Sequence, residues 1–563
     1  MKGDLASTLL LLFLVSWASW GEIGDLTFGM CMVALVSLSW LVATQTSPLR
    51  FPAGQLFPSV LMGVTVPASL LHLHALSSRT FALADSEMPQ YRNPHLLKMA
   101  HTREKVALPY IVCLLWLLFN SSSFSVEKSA FVSAILAVVV YALDLNMQWV
   151  LLLTVICHAV NNALSHVIAS GSLQFELFLL YSAIGVMIDN ILRNQVAEST
   201  AIFRAPTMLI VVSIGILSTI SYGALVTNLL RCFPALFARS NSDAAVQQSR
   251  LLYTTTVGLA LSLLAFVAIL LQAIGRYLQR NAIFWVIDVV VADSSENAFL
   301  CLFWICSIGI SLGLSLKAKT VWRWTIISAR KIFHALAIVM FIPAVLYSTA
   351  CTEFVALAFG VALCAFLLIE FARVSIVVTG KLPPFLAGTF SFLDLFLKDQ
   401  RSEDSAGIVL DHVTLLVACA LPVWIAIGSP PRSDTELNLP LDMPLLPFLG
   451  CLSVGVGDAV GAVAGINFGR WKWSEASGRS LEGSLAAFIS MVVVGALVLE
   501  AVAFMNPAKF NWSGEMAVGV LTAVFVTVVE AVTSKNDNIV LALYSVSFYQ
   551  ALCFIFASRS TKL

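Results

Sequence analysis

Long apolar runs recur along the whole chain and are separated by short polar connections. Each run can cross a hydrocarbon core of about 30 Å as a helix. Backbone groups in lipid can be satisfied only within helices or closed barrels. The pattern therefore predicts an all-α, polytopic integral membrane protein with about 14–17 transmembrane helices. The clearest runs are 26–43, 251–275, 298–316, 332–350, 353–369, 409–428, 485–505 and 538–556.

Composition agrees with this class. Apolar residues make up 59% of the 563 residues, charged residues only 11%, and mean hydropathy is +0.90. A soluble domain has about a quarter of its residues charged. The formal net charge is zero, so nothing indicates nucleic acid as a partner. The eleven cysteines are scattered without a CxxC pair, which indicates neither a disulfide framework nor a zinc site.

The chain changes character near residue 297. Residues 1–297 are expected to form a multi-span membrane region to which the sequence assigns no role. Residues 298–563 have more regular spans, and their connecting loops alternate in charge. One set of loops contains thirteen Lys and Arg residues and the opposite set contains four. The positive-inside tendency places the cation-rich face in the cytosol, and a glycosylation sequon at Asn511 falls on the other face.

The stretch 453–484, SVGVGDAVGAVAGINFGRWKWSEASGRSLEGS, interrupts this apolar pattern on the cation-rich face. Asp458 lies in a glycine-rich helix end, where an acid is costly unless it pairs or binds a cation. Mg²⁺ is held by one or two carboxylates together with phosphate oxygens. Arg470, Lys472 and Arg479 could neutralise a triphosphate. The competing interpretation is that Gly461 and Gly465 form a GxxxG packing face.

Several segments of the second region resemble the dolichol kinases, which are polytopic endoplasmic-reticulum enzymes that transfer the γ-phosphate of CTP to dolichol. The resemblance lies in ARKIFH (329–334), LLIEFARV (367–374), residues 393–424, residues 453–473, RSLEGS (479–484) and EAVTSKNDN (530–538). It implies a kinase that makes dolichyl phosphate for N-glycosylation, with CTP, Mg²⁺ or another divalent cation, and dolichol within the bilayer. It also implies an endoplasmic-reticulum location with the CTP site facing the cytosol.

The resemblance implies a CTP site formed by the glycine-rich helix end and the loop after it. Its expected residues are Gly457, Gly461, Gly465, Asn467, Gly469, Arg470, Lys472, Gly478, Arg479, Ser480, Glu482 and Gly483. Asp458 is the expected metal ligand, and Glu482, Asp537 and His334 are the candidate bases; His334 could equally be an interfacial hydrogen-bonding residue. Further candidates on the same face are Arg330, Lys331, Glu370, Asp411, His412, Glu530 and Asn538.

This chain departs from the family pattern at one place. The family usually has Lys-Lys-Thr before the Glu-Gly pair, and here the sequence is Gly478-Arg479-Ser480. Arg479 retains a cation and Ser480 a hydroxyl, whereas Gly478 loses a charge. From sequence, a lysine restored at position 478 is expected to be neutral or to improve CTP use.

Two other classes of function remain open at this point. The nearer class comprises other CTP-using lipid enzymes: phytol kinase, CTP-dependent diacylglycerol kinase and phosphatidate cytidylyltransferase. The other is a transporter, which would have polar residues near mid-membrane and broken helices in two related halves. The polar clusters here lie at one interface, which favours the lipid enzymes.

Overall fold

The computed structural model describes residues 204–237, 244–292, 295–321, 326–379, 411–427, 443–473, 478–505 and 512–532, with nine positions between 538 and 553. These residues form ten α-helices: α1 (Arg204–Phe237), α2 (Ala244–Leu278), α3 (Ala282–Ile287), α4 (Ser295–Thr320), α5 (Ile326–Tyr347), α6 (Thr349–Thr379), α7 (Asp411–Ile427), α8 (Ala459–Phe468), α9 (Leu481–Met505) and α10 (Trp512–Val532). A π-helical turn, Asp288–Ala292, follows α3, and α8 is preceded by a 3₁₀ turn, Leu446–Phe448, and a π-helical segment, Cys451–Asp458.

Within the described part of the chain, six helical segments are long and apolar enough to cross a membrane. Their outward side chains are apolar too; Leu264, Leu497 and Phe504 are 68%, 66% and 87% exposed. Such surfaces suit lipid rather than water. The predicted all-α polytopic class is confirmed. The predicted total of spans includes residues 1–203, which lie outside the described residues.

The largest buried core joins helices from both sides of residue 297. α1 lies against α6, where a side chain at Gly223 would overlap the ring of Phe371. Trp304 of α4 stacks on Phe354 of α6 at 5.6 Å between ring centroids. The expected domain boundary near residue 297 stays a prediction.

The segment that leads into α8 passes close to α7. A Cβ atom at Gly450 would overlap the carbonyl oxygen of Ala418, so only glycine permits this approach of the two backbones. The π-helical turns that follow hold one extra residue per turn and end at Asp458, which is buried. Local π-helical geometry of this kind occurs frequently at functional sites.

α8, α9 and α10 form a three-helix unit around this segment. Gly457 faces Met491 and Gly461 faces Ala487, so α9 runs antiparallel to α8. Gly519 faces Leu445, near the start of the segment that leads into α8, so α10 runs parallel to that segment. Consequently the end of α8, the start of α9 and the end of α10 lie at the same end of the bundle, which we call the charged end.

Candidate active site

Asp458 is the centre of a buried charged cluster at the start of α8, about 15 Å along that helix from the charged end. Its side chain is 6% exposed. The Nζ atom of Lys331 lies 2.5 Å from Asp458 Oδ2, and the Nε2 atom of His334 lies 3.2 Å from the same oxygen. A carboxylate at this depth requires such compensation, because an isolated buried charge is costly.

The two partners of Asp458 come from the first turns of α5. Lys331 and His334 are three residues apart, which places them on one face of a helix. α5 lies against the π-helical segment, where a side chain at Gly455 would contact Ile338 of α5. The absence of a side chain at Gly455 thus lets the start of α5 bring both residues to Asp458.

A second ion pair lies beside the first. Arg479 donates to Glu530 Oε1 at 2.8 Å, and the two side chains are 22% and 9% exposed. A Cβ atom at Gly461 would lie 3.5 Å from the same glutamate oxygen. Since Gly461 follows Asp458 by three residues on a helix, the two carboxylates are about one helical turn apart along α8.

The chain between α8 and α9 forms a short hairpin. Lys472 and Ser480 make an antiparallel bridge, and the backbone N–H of Leu481 donates to the carbonyl of Trp471 at 2.8 Å. Gly478 has φ +66°, in the left-handed region that favours glycine. Gly478 leads into the second arm of the hairpin, and the sequence did not predict this conformation there.

Glu482 and Ser480 hold the hairpin to the start of α9. Glu482 Oε1 accepts from the backbone N–H groups of Arg470 and Trp471 at 3.0 and 3.2 Å. Ser480 Oγ accepts from the backbone N–H of Gly483 at 3.1 Å, as a helix N-cap does. The side chains of Glu482 and Ser480, which the sequence predicted to contact the nucleotide, thus also form hydrogen bonds that hold the hairpin and the start of α9.

The glycines of α8 lie against α9. A Cβ atom at Gly461 would lie 3.1 Å from Ala487 Cβ, and one at Gly465 would lie 3.1 Å from Ser480 Oγ. A Cβ atom at Gly483 would fall 2.8 Å from the carbonyl of Gly461. The packing interpretation of the GxxxG pattern therefore accounts for these positions, and close approach of a phosphate to them stays a prediction.

The cations of the hairpin remain accessible. Arg470 and Lys472 are exposed, and so are the neighbouring aromatic residues Trp471 and Trp473. Asn467, exposed at the end of α8, donates to the carbonyl of Val463 at 2.8 Å. Gly469 closes the helix with a bond from its N–H to the carbonyl of Gly465. The hairpin that follows α8 therefore presents cations and aromatic rings at the surface of the described residues.

Two other described candidates, Glu370 and Asn538, have partners in other parts of the helical bundle. Glu370 pairs with Arg373 in α6, and Asn538 donates to Thr414 of α7 at 3.5 Å. The backbones of Arg330, Asp411 and His412 lie in the first turns of α5 and α7. Asp537, the sequon at Asn511 and most of residues 393–424 lie outside the described residues.

Sequence reasoning missed the partners within the cluster. It expected Asp458 to need a cation but did not connect it with Lys331, and it did not pair Arg479 with Glu530. The i, i+3 spacing of Lys331 and His334 was the available signal. Among the described residues, no group of three His, Cys, Asp or Glu side chains could hold a metal ion by itself.

The chain is similar to several curated proteins. Over 277 residues it is 30% identical to Dolichol kinase EVAN of Arabidopsis thaliana, covering 49% of this chain and 43% of that relative. Over 286 residues it is 27% identical to dolichol kinase of Homo sapiens, covering 49% of each chain. Dolichol kinase sec59 of Schizosaccharomyces pombe is 29% identical over 226 residues, 40% of this chain and 39% of that relative.

The chain is thus similar to several dolichol kinases over about half of its length. The match spans about half the length of the curated dolichol kinases. No protein-family model matches the chain, and no solved structure matches it.

Proposed function

We propose that this protein is a dolichol kinase that transfers the γ-phosphate of CTP to the hydroxyl group of dolichol. The product, dolichyl phosphate, would serve protein N-glycosylation. The observation that carries the proposal is the buried charge: two buried carboxylates and their cations lie inside the three-helix unit, and a hairpin with exposed cations follows at the charged end. The similarity to dolichol kinases supports the choice of acceptor.

The reaction needs positioning and charge neutralisation rather than covalent catalysis. The lipid hydroxyl oxygen forms a bond to the γ-phosphorus while the bond to the β–γ bridging oxygen breaks. CDP leaves with that electron pair, and the hydroxyl proton passes to a base of the protein. Arg470, Lys472 and Arg479 are assigned to the phosphates, because charge-assisted contacts to phosphate oxygens are strong.

The pair formed by Asp458 and His334 is the base candidate that the geometry favours. A carboxylate next to an imidazole fixes the ring and stabilises the imidazolium that forms when it accepts a proton. Glu482 is a weaker candidate, because it accepts two backbone N–H groups of the hairpin. Lys331, the most exposed of the three clustered side chains at 14%, could turn from Asp458 to an incoming phosphate.

The described residues fit a magnesium ion that is held mainly by substrate. When bound, Mg²⁺ would supply positive charge that neutralises the phosphates of CTP. Asp458, the metal ligand expected from the sequence, is the carboxylate that would hold it. Mg²⁺ usually keeps several waters and uses only one or two protein carboxylates, which agrees with a site that has no third acidic ligand among the described residues.

The test is a phosphorylation assay with purified full-length protein in detergent. CTP labelled at the γ-phosphate should transfer label to dolichol in the presence of Mg²⁺, and ATP should be a poor donor. Diacylglycerol and phytol are offered as competing acceptors. Transfer only to one of these, or formation of a CDP-lipid, would assign the protein to another CTP-using class. Solute flux in vesicles without any transfer would instead indicate a transporter.

We also propose that the charged end faces the cytosol from the endoplasmic-reticulum membrane. The excess of cations in the loops on this side supports that orientation. A cysteine at Ala476 should react with a membrane-impermeant thiol reagent in sealed microsomes. Labelling that requires detergent would place the site in the lumen.

A further inference from the structure

An apolar cleft runs along the three-helix unit, and on α9 it extends from Met491 to Leu499. Its floor is formed by buried residues such as Leu445, Leu449 and Leu499. Small residues on the facing helices leave the space open; at Gly495 of α9, the nearest atom to an added Cβ would be Leu452 Cδ1 at 4.0 Å. The cleft thus exists because α9 lacks a side chain where α9 and α10 meet the π-helical segment.

The polar atoms in the wall of the cleft are already engaged within their own helices. Ser453 donates to the carbonyl of Leu449 at 2.7 Å, and Thr522 donates to the carbonyl of Val518 at 2.8 Å. Ser545 donates to the carbonyl of Ala542 at 2.8 Å. The wall therefore suits a hydrocarbon ligand, because a polar ligand would lose its hydration without comparable replacement.

The mouth of the cleft lies on the lipid-facing side. Val492 and Ala496 of α9 and Met516 and Val520 of α10 line the cleft and are partly exposed. Neighbouring Val493 of α9 is 52% exposed and apolar, as a bilayer-facing side chain should be. A ligand could therefore enter from the hydrocarbon core without crossing water.

The inner end of the cleft lies next to the residues that adjoin the charged cluster. Met491 lines the cleft, and its Sδ atom would lie 2.8 Å from a Cβ atom at Gly457, the residue before Asp458. On α10, Val526 lines the cleft one helical turn before Glu530. From Met491 to Leu499 the cleft follows α9 for about 12 Å, at 1.5 Å per residue.

We propose that this cleft binds the hydroxyl-bearing end of the isoprenoid chain and delivers the hydroxyl to Asp458. The inference rests on the proposed kinase function and adds the place and orientation of the acceptor. A chain seated over about 12 Å contacts the protein through its first few isoprene units only, and the rest stays in the bilayer. The cleft therefore recognises the branched apolar chain near the hydroxyl rather than the total chain length.

The test fills the cleft at Gly495 with the substitution Gly495→Leu. The added Cβ has room, and the rest of the side chain occupies space that the lipid would use. The KM for dolichol, measured as mole fraction in mixed micelles, should rise about tenfold or more, because several methylene contacts are lost. The KM for CTP should stay unchanged. Ala496→Leu, at the mouth, provides a second variant that fills the same space.

Leu497→Trp is the matched control, since this side chain is on the same helix, is 66% exposed and does not line the cleft. It should keep the wild-type KM for dolichol. A single-isoprene alcohol is too short to reach position 495, so wild-type and Gly495→Leu proteins should phosphorylate it equally.

A second measurement does not depend on turnover. A photoactivatable isoprenoid alcohol should label peptides 491–499 and 516–526, and excess dolichol should compete with the labelling. Wild-type protein that phosphorylates dolichol, with both filling variants unchanged in KM and no labelling of these peptides, would overturn the cleft assignment. Wild-type protein that phosphorylates no lipid alcohol would instead refute the proposed function.

Discussion

Two buried ion pairs in this protein are built in different ways. Glu370 and Arg373 lie three residues apart in α6 and form a two-nitrogen contact, with Arg373 Nη2 2.6 Å and Nε 3.0 Å from the carboxylate oxygens. Lys331 and Asp458 are separated by 127 residues and meet across two helical elements. The first pair forms between neighbouring turns of one helix, whereas the second depends on how α5 packs against the π-helical segment.

This difference indicates which of the two ion pairs belongs to a candidate functional site. A local pair can form wherever the helix forms, and its geometry says little about the rest of the molecule. The cross-helix pair has a third partner in His334, lies one helical turn from the Arg479–Glu530 pair, and adjoins a hairpin with exposed cations. A buried charged group with several charged neighbours is a candidate functional site.

The largest effect is expected from Asp458→Asn. The amide retains the size of the side chain but is a poor Mg²⁺ ligand and cannot stabilise an imidazolium. Turnover with CTP and dolichol should fall by about a thousandfold, or ~4 kcal/mol in the activation barrier. Retention of more than about a tenth of wild-type turnover would refute the assigned role.

The same substitution leaves Lys331 buried without its carboxylate, so stability must be separated from catalysis. The double variant Asp458→Asn, Lys331→Met removes the uncompensated charge, and replacing both members of a buried pair is often close to neutral. We expect the double variant to regain wild-type thermal stability in detergent while remaining inactive. Recovery of activity together with stability would mean that the pair is structural.

The local pair should give the opposite result. Arg373→Ala leaves the Glu370 carboxylate buried, which should destabilise the protein by about 3 kcal/mol, visible as earlier thermal unfolding in detergent. The double variant Glu370→Gln, Arg373→Met should unfold close to the wild-type temperature. Turnover per folded molecule should be unchanged in both variants. A selective loss of turnover would show that Glu370 belongs to the site.

The positions of the helices were largely predictable, because apolar runs of this length have few alternatives in a membrane. The run at 485–505 became α9, Leu481–Met505, whose start is earlier because Ser480 caps it. The partner of Asp458 was not predictable, since it depends on the packing of α5. Sequence also assigned Glu482 to ligand binding and could not foresee that its oxygens accept from Arg470 and Trp471.

A smaller effect is expected at Arg479. If it contacts a phosphate, Arg479→Ala should raise the KM for CTP at least about tenfold and leave the KM for dolichol unchanged, while Arg479→Lys should be milder. The structure adds a control, because Arg479 also pairs with Glu530. In the double variant Arg479→Ala, Glu530→Gln the CTP defect should persist. Its disappearance would mean that Arg479 acts only by holding Glu530.

The smallest effect is expected at Gly478, where the structure corrects an expectation from the sequence. A lysine here would restore the usual family cation, but the residue has φ +66°, and a non-glycine residue in that conformation is strained by about 1 kcal/mol or more. Among the described residues, no atom lies within 4 Å of an added Cβ, so the expected cost is that of the backbone conformation. Gly478→Lys should therefore lower thermal stability slightly, with little gain in CTP use.

Gly478→Asn should be better tolerated, because asparagine adopts the left-handed conformation more readily. The stability of both variants is measured by thermal unfolding in detergent. If the lysine and asparagine variants are equally stable, the φ angle at position 478 does not restrict which residue this position accepts.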